Sequence, residues 1–279
     1  MKKICKNFRL FIVSIGVLSL LTLSACAATA SAANSEPSAP ERVAYLTFDD
    51  GPYREITPDI LDLLRQEEIL ATFFVLPHKT VDDIFRRIIR EGHELGNHSY
   101  SHNYDILYRG NLDDFRQEVV MAHEFILNNF GYEMTSFRFP GGPFGHDESV
   151  FEERRTIIAE LGYRDFAWHV DSNDWRPNVR HITSAELAER VLNDVDALED
   201  DEHVIILFHD VFWSPRLLDA LPIIISGLRE RGFTFDVTRN FPLTEIETAM
   251  YIKRNLTRLK NERQQEFLEA LSEMNLKQR

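Results

Sequence analysis

Residues 44–52 read Ala-Tyr-Leu-Thr-Phe-Asp-Asp-Gly-Pro, a short β-rich run followed directly by two acidic residues. The run predicts a buried strand, because aromatic, aliphatic and threonine side chains suit a packed sheet. Asp49 and Asp50 then lie at its carboxyl end. Neighbouring side chains of an extended segment point to opposite sides, so the two carboxylates are expected to have different partners.

The β-rich pattern recurs along the chain, at 44–48, 71–75, 94–97, 136–139, 165–170, 204–208 and 234–237. Amphipathic stretches typical of helices lie between the runs, at 56–66, 81–91, 112–129, 148–161, 184–198 and 215–231. This alternation predicts parallel strands joined by crossover helices. Parallel strands closed into a barrel bring their carboxyl ends to one face, so the residues that follow the runs are expected to meet there.

His98-Ser99-Tyr100-Ser101-His102 follows the third run. Two imidazoles four residues apart can share one face of a helical turn and hold a divalent ion. Asp50 can add an oxygen ligand, and three protein ligands leave positions open for water, as catalytic sites do. Taken alone, such a histidine pair is more often a solvated pair on a helix, and paired aspartates are more often a turn or a cap.

Three further segments follow in order, each after an apolar run: Arg138-Phe139-Pro140-Gly141-Gly142, Asp171-Ser172-Asn173-Asp174-Trp175 and Leu207-Phe208-His209. Together with 47–51 and 98–102 they match five ordered motifs, and ordered matches are far more specific than single ones. From about Val43 to about Thr238 the chain resembles the polysaccharide deacetylases of carbohydrate esterase family four, which have a NodB-like catalytic domain. The resemblance implies an α/β fold, a distorted (β/α) barrel with about seven parallel strands.

The resemblance also implies a metal-dependent hydrolase. Asp50, His98 and His102 would hold one divalent ion, which polarises the acetamide carbonyl and activates water, while Asp49 takes the proton of that water. Zinc is the first choice of ion, and such nitrogen and oxygen ligands also accept cobalt, nickel or iron. A ligand or capping role for Asp49 is the alternative.

His209 is implied as the general acid that protonates the leaving amine. Asp171 is implied to hold the other ring nitrogen of His209, and Arg138 to hold the carboxylate of Asp49. These last two side chains would act by positioning their neighbours.

Leu207 and Trp175 are implied to line a pocket for the acetyl methyl, with the backbone N–H of Gly141 donating to the oxyanion. Many relatives carry an aromatic residue where this chain has Gly141, so a wall for the sugar ring is missing at that position. Phe144, Trp175 and Trp213 are candidates to replace it, and a role in the core is equally open for each.

The N-terminus has four basic residues and then an apolar stretch over 11–23 that ends in Leu23-Ser24-Ala25-Cys26. This pattern predicts an export signal over 1–25, and its ending resembles a lipobox in which Cys26 becomes lipidated. Cleavage near residues 30–32 or an uncleaved anchor are the alternatives. Domain boundaries are expected at 26–42 for a tether, 43–240 for the catalytic domain and 241–279 for a C-terminal helical extension.

Cys5 and Cys26 are the only cysteines, so a processed chain would have no internal disulfide. Loss of the four basic residues of the leader would change the formal charge from −14 to −18. Such an acidic chain argues against nucleic acid or an anionic lipid surface as partner and suits a neutral glycan. No protein partner is implied.

The expected function is N-deacetylation of amino sugars in a glycan, with peptidoglycan as the first choice, by an exported protein that a lipid at Cys26 holds on the outer face of a bacterial membrane. The alternatives are an O-acetyl esterase acting on xylan-like polysaccharide and a deacetylase of chitin-like or exopolysaccharide chains. An inactive wall-binding protein is a distant third reading, because every catalytic motif is present.

Overall fold

The computed structural model describes residues 42–77, 81–142, 148–176, 181–198, 202–214 and 216–243. All of them belong to the second of the two units into which the chain divides, 39–279. The predicted signal peptide, Cys26 and all but the last residue of the tether lie outside the described residues. So do Phe144 and most of the C-terminal extension.

Eight strands within the described ranges form one sheet, and every pairing between them is parallel. They are β1 (Arg42–Asp49), β2 (Thr72–Val75), β3 (Glu94–Asn97), β4 (Ser136–Phe137), β5 (Arg164–Asp165), β6 (Val170–Asp171), β7 (His203–His209) and β8 (Phe233–Phe235). Their spatial order is β5-β4-β3-β2-β1-β7-β6, and β8 pairs with the start of β1.

Helices connect the strands as the alternating pattern predicted. They are α1 (Thr57–Gln66), α2 (Asp82–Arg90), α3 (Leu112–Phe130), α4 (Glu148–Glu160), α5 (Ser184–Asp196) and α6 (Leu217–Glu230). A π-helical turn, Asp105–Arg109, precedes α3 and was not predicted. None of the helices in the described ranges combines the length and the apolar composition that crossing a membrane requires.

The run expected as one strand over 165–170 is divided between two edges of the sheet. β5 pairs with β4 at one edge, and β6 pairs with β7 at the other. The backbone N–H of Phe166 still donates to Phe137 at 2.8 Å, whereas that of His169 donates to Ile205 at 2.9 Å. The chain therefore changes partner strand within this run and connects the two edges of the sheet. With β5 and β6 counted as one bent strand, the predicted seven-stranded, distorted (β/α) barrel is confirmed.

Aromatic packing fixes the central strands in register. The ring of Phe48 on β1 stacks on Phe73 of β2, with centroids 5.0 Å apart, and on Phe208 of β7 at 5.6 Å. All three side chains are fully buried, and large buried rings contribute much of the apolar area that stabilises a core. The next residue along β1, Asp49, consequently pairs with His209 of β7.

Candidate active site

The residues singled out from the sequence lie at the carboxyl ends of the strands. Asp49 and His209 end β1 and β7 side by side. His98 directly follows β3, Arg138 directly follows β4, and Asp171 ends β6. Side chains that are distant in the sequence thus reach one end of the barrel, where barrels of parallel strands place their sites.

Asp50, His98 and His102 form a group suited to a metal ion. One ligand atom of each lies within 4.8 Å of the others. Asp50 Oδ1 is 3.5 Å from Nε2 of His98 and 3.3 Å from Nε2 of His102. This oxygen is buried, and none of the described residues donates a hydrogen bond to it. Buried oxygens without a donor are uncommon in native proteins, so the position fits a bound cation.

The ring of His98 is held with Nε2 toward this group. Its Nδ1 lies 2.9 Å from the backbone carbonyl of Arg138. A carbonyl only accepts hydrogen bonds, so Nδ1 carries a hydrogen, and in the neutral ring Nε2 is then the nitrogen with the lone pair. A backbone carbonyl on the far nitrogen is the usual support of a metal-binding histidine.

The protonation states also suit a cation. Burial raises the pKa of the Asp50 carboxyl, but the facing rings of His98 and His102 outweigh burial and hold that pKa well below its usual range. Burial and the nearby His98 lower the pKa of His102. The group therefore offers one carboxylate, the neutral imidazole of His102 and the ring nitrogen of His98, a donor set that zinc and its neighbours accept.

The two histidines do not share a helical turn, although their spacing would allow it. Residues 98–103 form a loop in which Ser99 has a φ of 69° and His102 a φ of 56°. Glu118 of α3 accepts hydrogen bonds from two successive backbone N–H groups of this loop, at 3.1 and 2.7 Å. The left-handed residues fold the loop back on itself, so the two imidazoles meet with centroids 5.2 Å apart without helical geometry.

Asp49 is buried against a fully buried arginine. Arg138 Nη1 donates to Asp49 Oδ1 at 2.8 Å and to Thr47 Oγ1 at 2.7 Å, and its guanidinium lies 4.2 Å from the ring centroid of Phe74. The other carboxylate oxygen, Oδ2, is 3.6 Å from Nε2 of His98. Arg138 and Asp49 are thus in the contact that the resemblance implied, and one oxygen of Asp49 faces the candidate metal group.

Asp174, not Asp171, lies against the ring of His209. Nδ1 of His209 is 2.9 Å from Asp174 Oδ1, and the backbone N–H of His209 donates to Asp174 Oδ2 at 3.0 Å. Asp171 instead accepts from the backbone N–H of Asn173 at 2.8 Å. The predicted contact of Asp171 with His209 is therefore wrong, because the chain turns directly after β6 and Asp171 caps that turn.

The contact with Asp174 controls the protonation of His209. Burial lowers the pKa of His209, but Asp174, supported by the carboxylates of Asp50 and Asp49, outweighs burial and raises that pKa to about 9. An imidazolium at neutral pH can donate a proton. The ring of Trp175 stands edge-on to His209, with centroids 6.3 Å apart, and is 44% exposed.

The other predicted binding residues lie close to these groups in the fold. Leu207 is a buried residue of β7, two positions before His209. Gly141 follows β4, is exposed and has a φ of 73°. Trp213 packs edge-on against Tyr53, with centroids 5.7 Å apart. Contact of any of these residues with an acetyl group or a sugar stays a prediction.

Two neighbours of the site were not singled out from the sequence. Asp210 accepts a hydrogen bond from Thr57 Oγ1 at 2.6 Å, and burial raises its pKa to about 8. A side chain on Gly51 would overlap the Asp210 carboxylate, which explains a glycine after the acidic pair. Tyr104 lies beside His102, with ring centroids 5.3 Å apart. No pattern in the sequence distinguishes Asp210 and Tyr104 from ordinary loop residues.

Known proteins are similar to this chain in both sequence and fold. The sequence profile of the family described as "Polysaccharide deacetylase" matches residues 36–165. Over 199 residues the chain is 33% identical to a peptidoglycan-N-acetylglucosamine deacetylase of Bacillus cereus, an alignment that covers 70% of this chain and 68% of the relative. A second Bacillus cereus protein of that name is 30% identical over 201 residues, covering 70% and 85%.

Solved structures agree. A CE4 esterase of Streptococcus mutans matches with a TM-score of 0.66 and 31% identity, over 71% of this chain and 86% of that chain. A polysaccharide deacetylase of Bacillus cereus matches with a TM-score of 0.62 and 31% identity, over 74% and 97%. The shared sequence, the barrel and the grouped aspartate and histidine side chains lead to one conclusion: this chain belongs to the polysaccharide deacetylase family and is a hydrolase of amide bonds.

Proposed function

We propose that this chain is a metal-dependent N-deacetylase that removes acetyl groups from the N-acetylglucosamine of peptidoglycan. The observation that carries the proposal is the group of Asp50, His98 and His102, whose ligand atoms lie within 4.8 Å of one another. Asp49, held by Arg138, lies on one side of this group. A catalytic hydrolase site needs such a combination of ion ligands and a positioned base.

Asp50, His98 and His102 would hold the ion, with zinc as the first choice and cobalt, nickel or iron as alternatives. When bound, the ion would polarise the acetamide carbonyl and activate a water molecule. The single charge of Asp50 leaves the site net positive around a divalent ion, which favours the negative charge that develops on the carbonyl oxygen.

Asp49 is the proposed general base. Arg138 occupies its Oδ1 at 2.8 Å, while Oδ2 faces His98. The free oxygen can accept a proton from the attacking water, and the bond from Arg138 to the other oxygen fixes the orientation of the carboxylate. The backbone N–H of Gly141 is the proposed donor to the oxyanion, beside an acetyl pocket of Leu207 and Trp175.

His209 is the proposed general acid. When the tetrahedral intermediate collapses, the carbon–nitrogen bond breaks, and the nitrogen needs a proton to leave as an amine. The imidazolium of His209 supplies that proton, and Asp174, 2.9 Å from Nδ1, stabilises the charged ring beforehand. The products are acetate and a glycan with a free amine.

Peptidoglycan is proposed as the substrate because two of the relatives above are named as peptidoglycan-N-acetylglucosamine deacetylases. The formal charge of −14 suits a glycan better than a polyanion. One observation favours a second candidate, O-deacetylation of an acetylated polysaccharide, since the matching Streptococcus mutans structure is named an esterase. The ion and Asp49 could serve either reaction, because ester hydrolysis depends less on protonation of the leaving group.

We also propose the location and domain order that the sequence predicts. Residues 1–25 would be removed as a signal peptide, and Cys26 would carry a lipid. Residues 26–42 would then tether the catalytic domain, 43–240, to the outer face of a membrane, and 241–279 would form a helical extension. A tether of that length lets the domain reach wall glycan next to the membrane.

Acetate release tests the function. Full-length protein supplied with Zn²⁺ should release acetate from purified peptidoglycan, and the His98→Ala variant should not. Acetylated xylan and oligomers of N-acetylglucosamine serve as competing substrates. Release from xylan alone would move the assignment to an O-acetyl esterase, and binding to peptidoglycan without any acetate release would favour an inactive wall-binding protein.

A further inference from the structure

Tyr104 is an exposed aromatic residue at the mouth of the site. It immediately precedes the π-helical turn 105–109, and 43% of it is exposed. Its ring stands edge-on to His102, with centroids 5.3 Å apart, and is tilted against Tyr108 at 5.7 Å. The hydroxyl of Tyr108 in turn donates to the backbone carbonyl of Pro140 at 2.7 Å. The Tyr104 ring is therefore supported from behind, while much of it remains open to solvent.

The same ring fills the space in front of Gly141. A Cβ built on Gly141 would lie 2.5 Å from Oη of Tyr104 and 3.0 Å from its Cε1. Gly141 also has a φ of 73°, a conformation that residues with side chains rarely adopt. The fold thus places an aromatic ring from the loop after His102 where a side chain at position 141 would otherwise project.

Tyr104 also borders the candidate metal group. Its ring meets that of His102, whose Nε2 lies 3.3 Å from Asp50 Oδ1. A phenol hydroxyl can both donate hydrogen bonds to sugar hydroxyls and accept them. An exposed ring beside this group borders the space that a substrate must enter.

We propose that the ring of Tyr104 is the surface on which the acetylated amino sugar stacks, and that it thereby determines affinity for the glycan. This inference rests on the proposed function. A pyranose ring presents an apolar face of C–H groups, and a fixed aromatic ring offers it a large contact area with little loss of conformational entropy. Trp175 lies beside His209, the proposed acid. Tyr104 lies beside His102, a proposed ion ligand.

The test is a substitution series at position 104 in full-length, detergent-solubilised protein with Zn²⁺, using an oligomer of N-acetylglucosamine as the probe. Tyr104→Phe and Tyr104→Trp keep a ring, whereas Tyr104→Leu keeps apolar area without one and Tyr104→Ala removes both. Loss of the ring should raise KM and the dissociation constant of the oligomer by about 2- to 10-fold, with a smaller change in kcat. The two aromatic variants should retain most of the affinity.

Zinc titration separates stacking from support of His102. If the Leu and Ala variants lose zinc affinity or kcat while KM is unchanged, Tyr104 only supports the ion ligand, and the proposal is overturned. Met121→Ala is the matched control, because Met121 is a 44% exposed residue of α3. Met121→Ala should change neither zinc affinity nor KM.

Direct binding of the oligomer distinguishes this inference from the proposed function. If Tyr104→Ala binds the oligomer more weakly than the parent and the parent releases no acetate, the proposed sugar-binding role of Tyr104 stands and the proposed deacetylase function is rejected. If the parent and Tyr104→Ala both release acetate with equal KM, the proposed deacetylase function stands and the sugar-binding role of Tyr104 is rejected. Absence of both binding and acetate release in the parent would overturn both.

Discussion

Asp49 and Asp50 are consecutive residues and both face His98, yet only Asp49 also contacts Arg138. Asp49 belongs to β1 and pairs with Arg138, whereas Asp50 has a φ of 72° and turns toward His98 and His102. A left-handed residue directly after a strand reverses the side to which its side chain would otherwise point. Strained backbone of this kind is often found at functional sites.

Asparagine at each position should therefore have a different effect. Asp49→Asn should retain zinc and lose turnover by about 10²- to 10⁴-fold, the usual contribution of a general base. Asp50→Asn should weaken zinc binding by about 100-fold or more, because it removes the one charged donor of the group. Zinc titration and kcat measured on the same preparations check both results. Loss of zinc from Asp49→Asn instead would reverse the two assignments.

The pH dependence of kcat can distinguish the roles of Asp174 and Asp171. His209 must be protonated to act as an acid, and its protonated fraction is lost as pH rises through its pKa, which is raised to about 9 mainly by Asp174. A bound divalent ion would lower this pKa in all variants alike. Asp174→Asn removes the stabilising charge, so the alkaline limb of the kcat profile should move to lower pH.

Asp171→Asn is the matched control for that profile. Asp171 caps the turn at Asn173 and makes no hydrogen bond to His209 in the described part of the chain. Its replacement should shift the alkaline limb less than Asp174→Asn does. A larger shift from Asp171→Asn would mean that Asp171 supports the acid, as the resemblance implied.

At the scale of elements, α3 is joined to the loop after β3 by hydrogen bonds. Glu118 projects from α3, is buried, and binds the backbone of the loop that carries His98 and His102. Glu118→Ala would leave two loop N–H groups without their acceptor, so the loop should relax and zinc affinity should fall by about 10- to 100-fold. Glu124→Ala, on the exposed surface of the same helix, is the control and should bind zinc like the parent. Equal affinities in both variants would contradict this role of Glu118.

For the molecule as a whole, the testable feature is the proposed anchor. Cys26→Ala removes the thiol that would carry the lipid, so most of the protein should leave the membrane fraction and lose incorporation of a fatty-acid label, because buried acyl chains provide the affinity for the bilayer. Cys5→Ala removes the only other cysteine and should remain in the membrane fraction. Membrane association of an unlabelled parent protein would instead indicate an uncleaved N-terminal segment.

The sequence alone determined the fold class and predicted most of the candidate site. Alternating β-rich and amphipathic stretches reflect local periodicity, which each segment carries in its own residues, so six helices and the central strands were predicted closely. Asp49, Asp50 and His98 lie at the predicted ends of those strands, and the resemblance to the polysaccharide deacetylases added Arg138 and His209. Barrel closure brings all such ends to one face, so their proximity followed from the class of fold.

Beyond the contact of Arg138 with Asp49, only the tertiary structure decided which side chains touch. The division of 164–171 between two sheet edges, the loop geometry at His102, the choice of Asp174 over Asp171, and the approach of Tyr104 to Gly141 were not predictable from the sequence. Each depends on left-handed or irregular backbone between regular elements, where one residue redirects a side chain by many ångströms. The partner is then set by strands and helices from elsewhere in the chain, and the periodicity of a local segment contains no information about them.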